Sequence, residues 1–279
     1  MNQKQFNKKY ANKIICGDCL DVMKDWPDGC VDLVLTDPPY GTTACKWDSI
    51  IPLEPMWEQL KRLVKLDRAV VLTASQPFTT TLISSNKKDF AFSWVWDKCF
   101  AGNYVQAKRQ PLKVHEDVVV FCFTGKQPIY FPQMMKREIP IEKGSNKQGK
   151  AIPIAITVAS KVYGKTKRIY MTKHPISIIK FNIRKERGFH PTQKPTALMK
   201  YLIKTYTNED ELVLDFTCGS GTTCVAAKML GRNYIGVDIS EEYCDIARQR
   251  LKYTNFKPSL FDKPVKKKKK KKTFFDEGV

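Results

Sequence analysis

A chain of 279 residues is long enough for one substantial α/β domain with a smaller inserted or appended region. Its 48 Lys and Arg against 28 Asp and Glu leave a formal net charge of +20, a field that attracts a polyanion and speeds its arrival. No stretch is apolar and long enough to cross a membrane, and the polar, basic start has no apolar run of the secretory kind. The nine cysteines are scattered, which fits a reducing interior better than a disulfide framework.

In chain order, residues 13–16 read as a short strand with Asp18 at its carboxyl end. A short helix follows over 18–24, stopped by a Pro-Asp-Gly turn, and Asp18 is well placed to cap it. Cys16, Gly17, Asp18 and Cys19 have the spacing of half a zinc site. No second pair follows, and His115, His174 and His190 stand far apart, so no metal is expected. The apolar run 31–35 predicts a buried strand that ends in Thr36, Asp37, Pro38, Pro39 and Tyr40. Prolines fix φ, carry no backbone N–H and force the preceding residue into extended or turn conformations. The Asp37 carboxylate, the Pro38 carbonyl and the Tyr40 ring are thereby held at the end of a strand, where open α/β sheets bind ligands. Two acceptors beside a flat ring suit a planar group carrying an amine, such as the edge of adenine or cytosine. A proline-rich turn with a surface tyrosine is the plainer alternative.

Residues 41–48 read as a loop over this site, with Trp47 as part of its wall. The pattern then predicts helices over 55–66 and 77–85 and strands over 69–74, 90–96 and 118–123. A polar loop with Asn103 and Arg109 separates the last two strands; Lys98 precedes it, and His115 and Glu116 follow. From 126 to 194 the texture changes: sixteen Lys or Arg oppose Glu138, Glu142 and Glu186. Lys136, Arg137, Lys167 and Arg168 are candidate phosphate contacts there, and a smaller set could read base edges. The alternative is a charged, solvated insertion. Strand character over 151–159 and 177–181 argues against a mere linker.

His190, Pro191, Thr192, Gln193, Lys194 and Pro195 lead into a helix to about Tyr206. Residues 212–215 predict a strand and 222–231 a helix, joined by a turn in which Gly219 and Gly221 remove side chains where a ligand must approach the backbone. The next strand ends on Asp238, an acid positioned to accept from ribose hydroxyls. The turn lacks the Gly-Lys-Ser/Thr of a Walker loop, which disfavours ATP hydrolysis. A last helix runs to about Lys252. The block Lys266–Lys272 cannot form a core and repels itself, so disorder and non-specific phosphate affinity are expected of it.

Asp-Pro-Pro-Tyr at 37–40, with Leu-Val-Leu-Asp-Phe-Thr-Cys-Gly-Ser-Gly-Thr-Thr at 212–223 and Tyr-Ile-Gly-Val-Asp at 234–238, resembles the S-adenosylmethionine-dependent amino methyltransferases of DNA, the N6-adenine/N4-cytosine family. More narrowly, the order resembles the beta-type subgroup, in which the catalytic motif precedes the cofactor motif. The resemblance covers roughly residues 14–251. It implies a doubly wound, mostly parallel, seven-stranded methyltransferase sheet in circularly permuted order, with one late antiparallel strand. The implied units are a catalytic half over 1–125, an inserted basic target-recognition region over 126–189, a cofactor-binding half over 190–257 and a basic tail over 258–279.

The resemblance also implies roles. S-adenosylmethionine would be held by Asp18, Asp37, Thr192, Lys194, Asp215, Phe216, Gly219, Gly221, Thr222 and Asp238, with Asp18 at its adenine amine and Lys194 at its carboxylate. Asp37 and Pro38 would accept from the target amine, and Tyr40 would stack on the base after it leaves the duplex. Trp47, Lys98, Asn103, Arg109, His115, Lys136, Arg137, Lys167 and Arg168 are the candidate base or DNA contacts. A leading Asp rather than Ser leans toward adenine N6. Cytosine N4, RNA, and a non-catalytic nucleic-acid module stay open as alternatives, while cytosine C5 chemistry lacks its Pro-Cys pair. The expected partner is double-stranded DNA, with a homodimer and a cognate restriction endonuclease in no stable complex as further expectations. The implied location is cytoplasmic and DNA-associated, away from membranes.

Overall fold

A computed structural model describes residues 1–42, 48–144, 159–162, 165–183 and 193–255, with side chains left aside at 143–144, 159–162 and 165–167. Trp47, Thr192, nearly all of the expected strand 151–159 and the Lys266–Lys272 block lie outside the described residues. Among the described residues no helix is long and apolar enough to cross a membrane.

The chain opens with α1 (Gln3–Tyr10), β1 (Lys13–Cys16), α2 (Cys19–Lys24), β2 (Leu33–Thr36), α3 (Leu53–Leu63), β3 (Val70–Ala74), α4 (Phe78–Ser85), β4 (Phe90–Gly102) and β5 (Lys113–Phe121). β6 (Met135–Gly144), β7 (Ala159–Val162), β8 (Lys165–Lys173) and β9 (Ile178–Lys180) follow. The last part supplies α5 (Thr196–Tyr206), β10 (Leu212–Asp215), α6 (Thr222–Met229), β11 (Asn233–Asp238) and α7 (Glu241–Lys252). The main sheet has the order β1-β11-β10-β2-β3-β5-β4-β9, and β5 alone runs against its neighbours.

That sheet has eight strands, not the seven expected. β9 covers the outer edge of β4, where Val95 N–H donates to the Ser177 carbonyl at 2.8 Å and Phe181 N–H to the Asp97 carbonyl at 3.1 Å. An unpaired edge would leave those backbone groups without partners. Part of the region expected to be an insertion thus belongs to the main sheet. The separate sheet, β6-β8-β7, is confined to residues 135–173.

Period two places the core on both faces. Leu33, Leu35, Val71 and Val213 pack toward α5, α6 and α7, while Val34, Val70, Leu72, Leu212 and Leu214 pack toward the α1–α4 side. All of these are buried, as the continuous apolar runs required of strands covered on both faces. α1 was not foreseen: only Phe6 is buried on it, and it starts with a capping box between Asn2 and Gln5. Arg62 of α3 donates to the carbonyls of Met23 at 2.9 Å and Lys24 at 3.1 Å, satisfying the open end of α2.

Two halves distant in sequence meet at β2 and β10, and aspartates pin that seam at both ends. Asp32 accepts from Leu212 N–H at 2.9 Å where the two strands begin. Asp215 accepts from the Thr36 hydroxyl at 2.6 Å where they end.

Candidate active site

The sheet order brings four carboxylates to its carboxyl edge. Asp18 follows β1, Asp238 ends β11, Asp215 ends β10 and Asp37 follows β2, in that spatial order. A cleft of about 920 Å³ opens over them. Among the residues singled out from the sequence, Asp18, Asp37, Pro38 and Tyr40 line it from the first half, Lys98 from β4, and Lys194, Asp215, Phe216, Gly219, Thr222 and Asp238 from the second half.

On the β10–β11 side the carboxylates hold backbone. Asp238 Oδ2 accepts from Gly219 N–H at 2.7 Å and its Oδ1 from Ser240 N–H at 2.9 Å, so each oxygen keeps a lone pair for a ligand. Gly219 has φ +49°, and the turn it forms lies against Asp238. Gly221 does not line the cleft. It starts α6 at φ +77°, and a Cβ there would come within 2.7 Å of Ala247 Cβ, so glycine is required by the packing of α7. Asp18 Oδ1 caps α2 through Leu20 N–H at 2.8 Å. Its other oxygen has no hydrogen-bond partner among the described residues.

Asp215 is buried, and burial pushes its carboxyl up to about 6, against the hydroxyls of Thr36 and Thr223 and the N–H of Thr217, with the Asp37 charge adding to the rise. Through two threonines it reaches the catalytic loop. Thr36 Oγ1 and Thr217 Oγ1 are 2.6 Å apart, and Thr217 donates to the Asp37 carbonyl at 3.1 Å.

On the β2 side the carboxylate holds side chains. Asp37 Oδ1 accepts from the Tyr40 hydroxyl at 2.6 Å and from the Thr73 hydroxyl of β3. Its Oδ2 accepts from Lys194 Nζ at 2.6 Å. Burial and the charges of Asp37 and Glu116 raise the Tyr40 phenol well above its usual range, so it stays a donor. The Tyr40 ring stacks on Phe78, with centroids 5.4 Å apart and planes 21° apart. Among the described residues no donor engages the Pro38 carbonyl. Asp48 fixes the loop from outside: its Oδ1 accepts from Tyr40 N–H at 2.8 Å and Gly41 N–H at 2.9 Å, its Oδ2 from Thr42 N–H at 2.9 Å.

Lys194 meets two carboxylates of the chain itself, Asp37 and, at 3.4 Å, Glu116 of β5. Burial works to lower its pKa, but the two acids together raise it above the ordinary lysine value. Lys98 pairs with Glu116 at 3.2 Å.

The remaining sequence candidates lie elsewhere. Asn103 and Arg109 are exposed on the β4–β5 loop, Asn103 in the left-handed region at φ +65°, and His115 is exposed on β5. Lys136, Arg137, Lys167 and Arg168 belong to the small sheet, where Arg137 Nε donates to the Thr172 carbonyl at 3.1 Å. Thr36, Thr73, Asp48 and Thr217 were not foreseen. Position was a signal for Thr36 and Thr217, which stand beside the strand ends that carry Asp37 and Asp215; Thr73 of β3 and Asp48 of the loop before α3 carried none.

Fold and site together are those of a methyltransferase-type α/β sheet. The family described as DNA methylase, of N6 and N4 amino methyltransferases, matches residues 31–249, and the chain belongs to it. It is an S-adenosylmethionine-dependent DNA amino methyltransferase. Type II methyltransferase M.HpaI of Haemophilus parainfluenzae is 26% identical over 86% of this chain and 74% of its own length. Type II methyltransferase M1.MboII of Moraxella bovis is 29% identical over 85% of this chain and 95% of its own. Among solved structures, the cytosine-N4-specific PvuII DNA methyltransferase shares the fold at TM-score 0.62, with 16% identity over 85% of both chains. The M1.HpyAVI–SAM complex does so at TM-score 0.56, with 24% identity over 86% of this chain and 98% of that one.

Proposed function

We propose that the chain methylates the exocyclic N6 amine of adenine in a nucleotide turned out of duplex DNA at a specific site. The observation that carries this reading is the side-by-side placement of Asp37 and Pro38, at the end of β2, with the glycine turn of β10 in one cleft. Asp238, with a lone pair spare on each oxygen, suits the two ribose hydroxyls of S-adenosylmethionine, and the free oxygen of Asp18 suits its adenine amine. Phe216, Gly219 and Thr222 line the space between, and Lys194, with Thr192 two positions before it in sequence, would serve its methionine end. When bound, the cofactor supplies an electrophilic methyl group on a sulfonium.

The chain supplies the rest. The lone pair of an exocyclic amine is delocalised into its ring. Asp37 and the Pro38 carbonyl hold the amine hydrogens, favour a pyramidal nitrogen and stabilise the positive charge that grows on it. Tyr40, its hydroxyl tied to Asp37, offers a fixed ring on which the extruded base can stack. Trp47, Lys98, Asn103, Arg109 and His115 would hold the base or its neighbours. Lys136, Arg137, Lys167 and Arg168 on the small sheet would contact phosphates. The catalytic-before-cofactor order supports the beta-type subgroup and a circularly permuted sheet. Adenine is favoured over cytosine by the leading Asp of the 37–40 motif. A cytoplasmic location, a homodimer and a cognate endonuclease without a stable complex belong to the same reading.

The test is transfer of radiolabelled methyl from S-adenosylmethionine to duplex DNA, followed by nucleoside analysis. Label in N6-methyladenine is expected. Label only in N4-methylcytosine would move the target to cytosine, and preference for RNA at matched salt would move it off DNA.

A further inference from the structure

Asp37 offers a target amine one filled oxygen and one shared with an ammonium. Its Oδ1 is held by Tyr40 from within the loop and by Thr73 from β3; its Oδ2 is held by Lys194. Tyr40 and Thr73 belong to the frame of the loop, so Lys194 is the partner that can leave. Its ammonium cannot be left alone, because Lys194 is only 7% exposed and an unpaired buried charge is costly.

Glu116 stands beside it with capacity to spare. Its Oε1 accepts from Lys98 at 3.2 Å. Its Oε2 is buried and makes no hydrogen bond among the described residues, although Lys194 Nζ lies 3.4 Å away. A movement of roughly half an ångström would bring that contact into ordinary hydrogen-bond range. We infer that the arriving target amine displaces Lys194 from Asp37 Oδ2 onto Glu116 Oε2, which makes Glu116 a positioning residue for the target base. The exchange keeps the ammonium paired with Glu116 and leaves the Asp37 carboxylate to two hydroxyls and the amine, whose positive charge grows during transfer. It also draws the lysine away from an amine that becomes positive during transfer, where a cation left on Asp37 would repel it.

This inference rests on the proposed reading of Asp37 as the amine acceptor, and its test separates the two. Plasmid DNA methylated by the wild type is sequenced to map the modified site. Two duplexes carrying that site are then compared, one with the natural base and one with purine, which lacks the exocyclic amine (pyrimidin-2-one if the base is cytosine). Binding is measured by anisotropy in the presence of S-adenosylhomocysteine. Glu116→Gln should weaken binding of the natural duplex roughly 10- to 100-fold, the loss of a charged hydrogen bond, and leave the purine duplex within about threefold. Glu116→Asp, which keeps the charge but shortens its reach, should shift the same ratio in the same direction and serves if the glutamine variant folds poorly. Equal loss on both duplexes, or loss on neither, overturns the hand-over while the reading stands. A wild type that leaves the plasmid unmethylated overturns the reading and the hand-over with it.

Discussion

The two sides of the cleft use carboxylates in opposite ways. On the β10–β11 side Asp238 accepts from backbone N–H groups that the fold has already fixed, and its remaining lone pairs have no partner among the described residues. On the β2 side Asp37 accepts from two hydroxyls and a lysine, so its Oδ1 is filled by the frame and its Oδ2 is shared with an ammonium that can move. The first arrangement is ready for a ligand as it stands. The second is stable without one, and a target amine must come to the oxygen that the lysine already holds. Cofactor affinity and methyl transfer should therefore respond to different residues, and mutation can separate them.

The largest effect is expected at Asp37. Asp37→Ala removes the amine acceptor, so methyl transfer to DNA should fall below detection while cofactor affinity by calorimetry stays within a few-fold. Lys194 keeps Glu116 as a partner in that variant, which limits structural damage.

The next effect concerns stability at the seam between the halves. Asp215 is raised to about 6 in the folded chain from an ordinary 3.8. Between those values the folded form holds a proton that the unfolded form has lost. Its contribution to stability is therefore greatest below the lower value, falls as pH rises to about 6 and is flat above, by about 3 kcal/mol in all. Denaturant unfolding of wild type and Asp215→Asn across that window should show the difference, with the asparagine variant lacking this share of the decline.

Asp238→Ala should weaken cofactor binding by about 1–3 kcal/mol, or roughly 5- to 150-fold, read by calorimetry. The smallest effect belongs to Thr217→Val, which removes the bond to the Asp37 carbonyl. A loss of about 1 kcal/mol, or roughly fivefold in kcat with little change in the cofactor KM, is expected from steady-state kinetics.

Much of this division was legible in the chain because its signals are local. Asp37 to Tyr40 carry their own rigidity in two prolines, and Gly219 announces its turn between an apolar strand and a helix. The strand-end acids could be placed on one edge once the strands were recognised. What could not be read depends on distant groups meeting. Lys194 and Asp37 are 157 positions apart, and Thr36 and Asp215 are 179 apart, so no window shows either bond. Lys194 was expected to meet a ligand carboxylate; the carboxylates it meets are Asp37 and Glu116. The strand character over 177–181 was legible, but not that β9 would edge the main sheet, because its partner is the open flank of β4, more than eighty residues earlier in the chain. Gly221 was assigned to a ligand when the crowding atom belongs to Ala247.

The division of labour across the cleft is tested most directly by the methyl-transfer rate at saturating S-adenosylmethionine for wild type, Asp37→Ala and Asp238→Ala. Excess cofactor is expected to bring Asp238→Ala close to the wild-type rate and to leave Asp37→Ala inactive. Recovery of Asp37→Ala by cofactor, or an Asp238→Ala rate that stays low at saturation, would contradict the account.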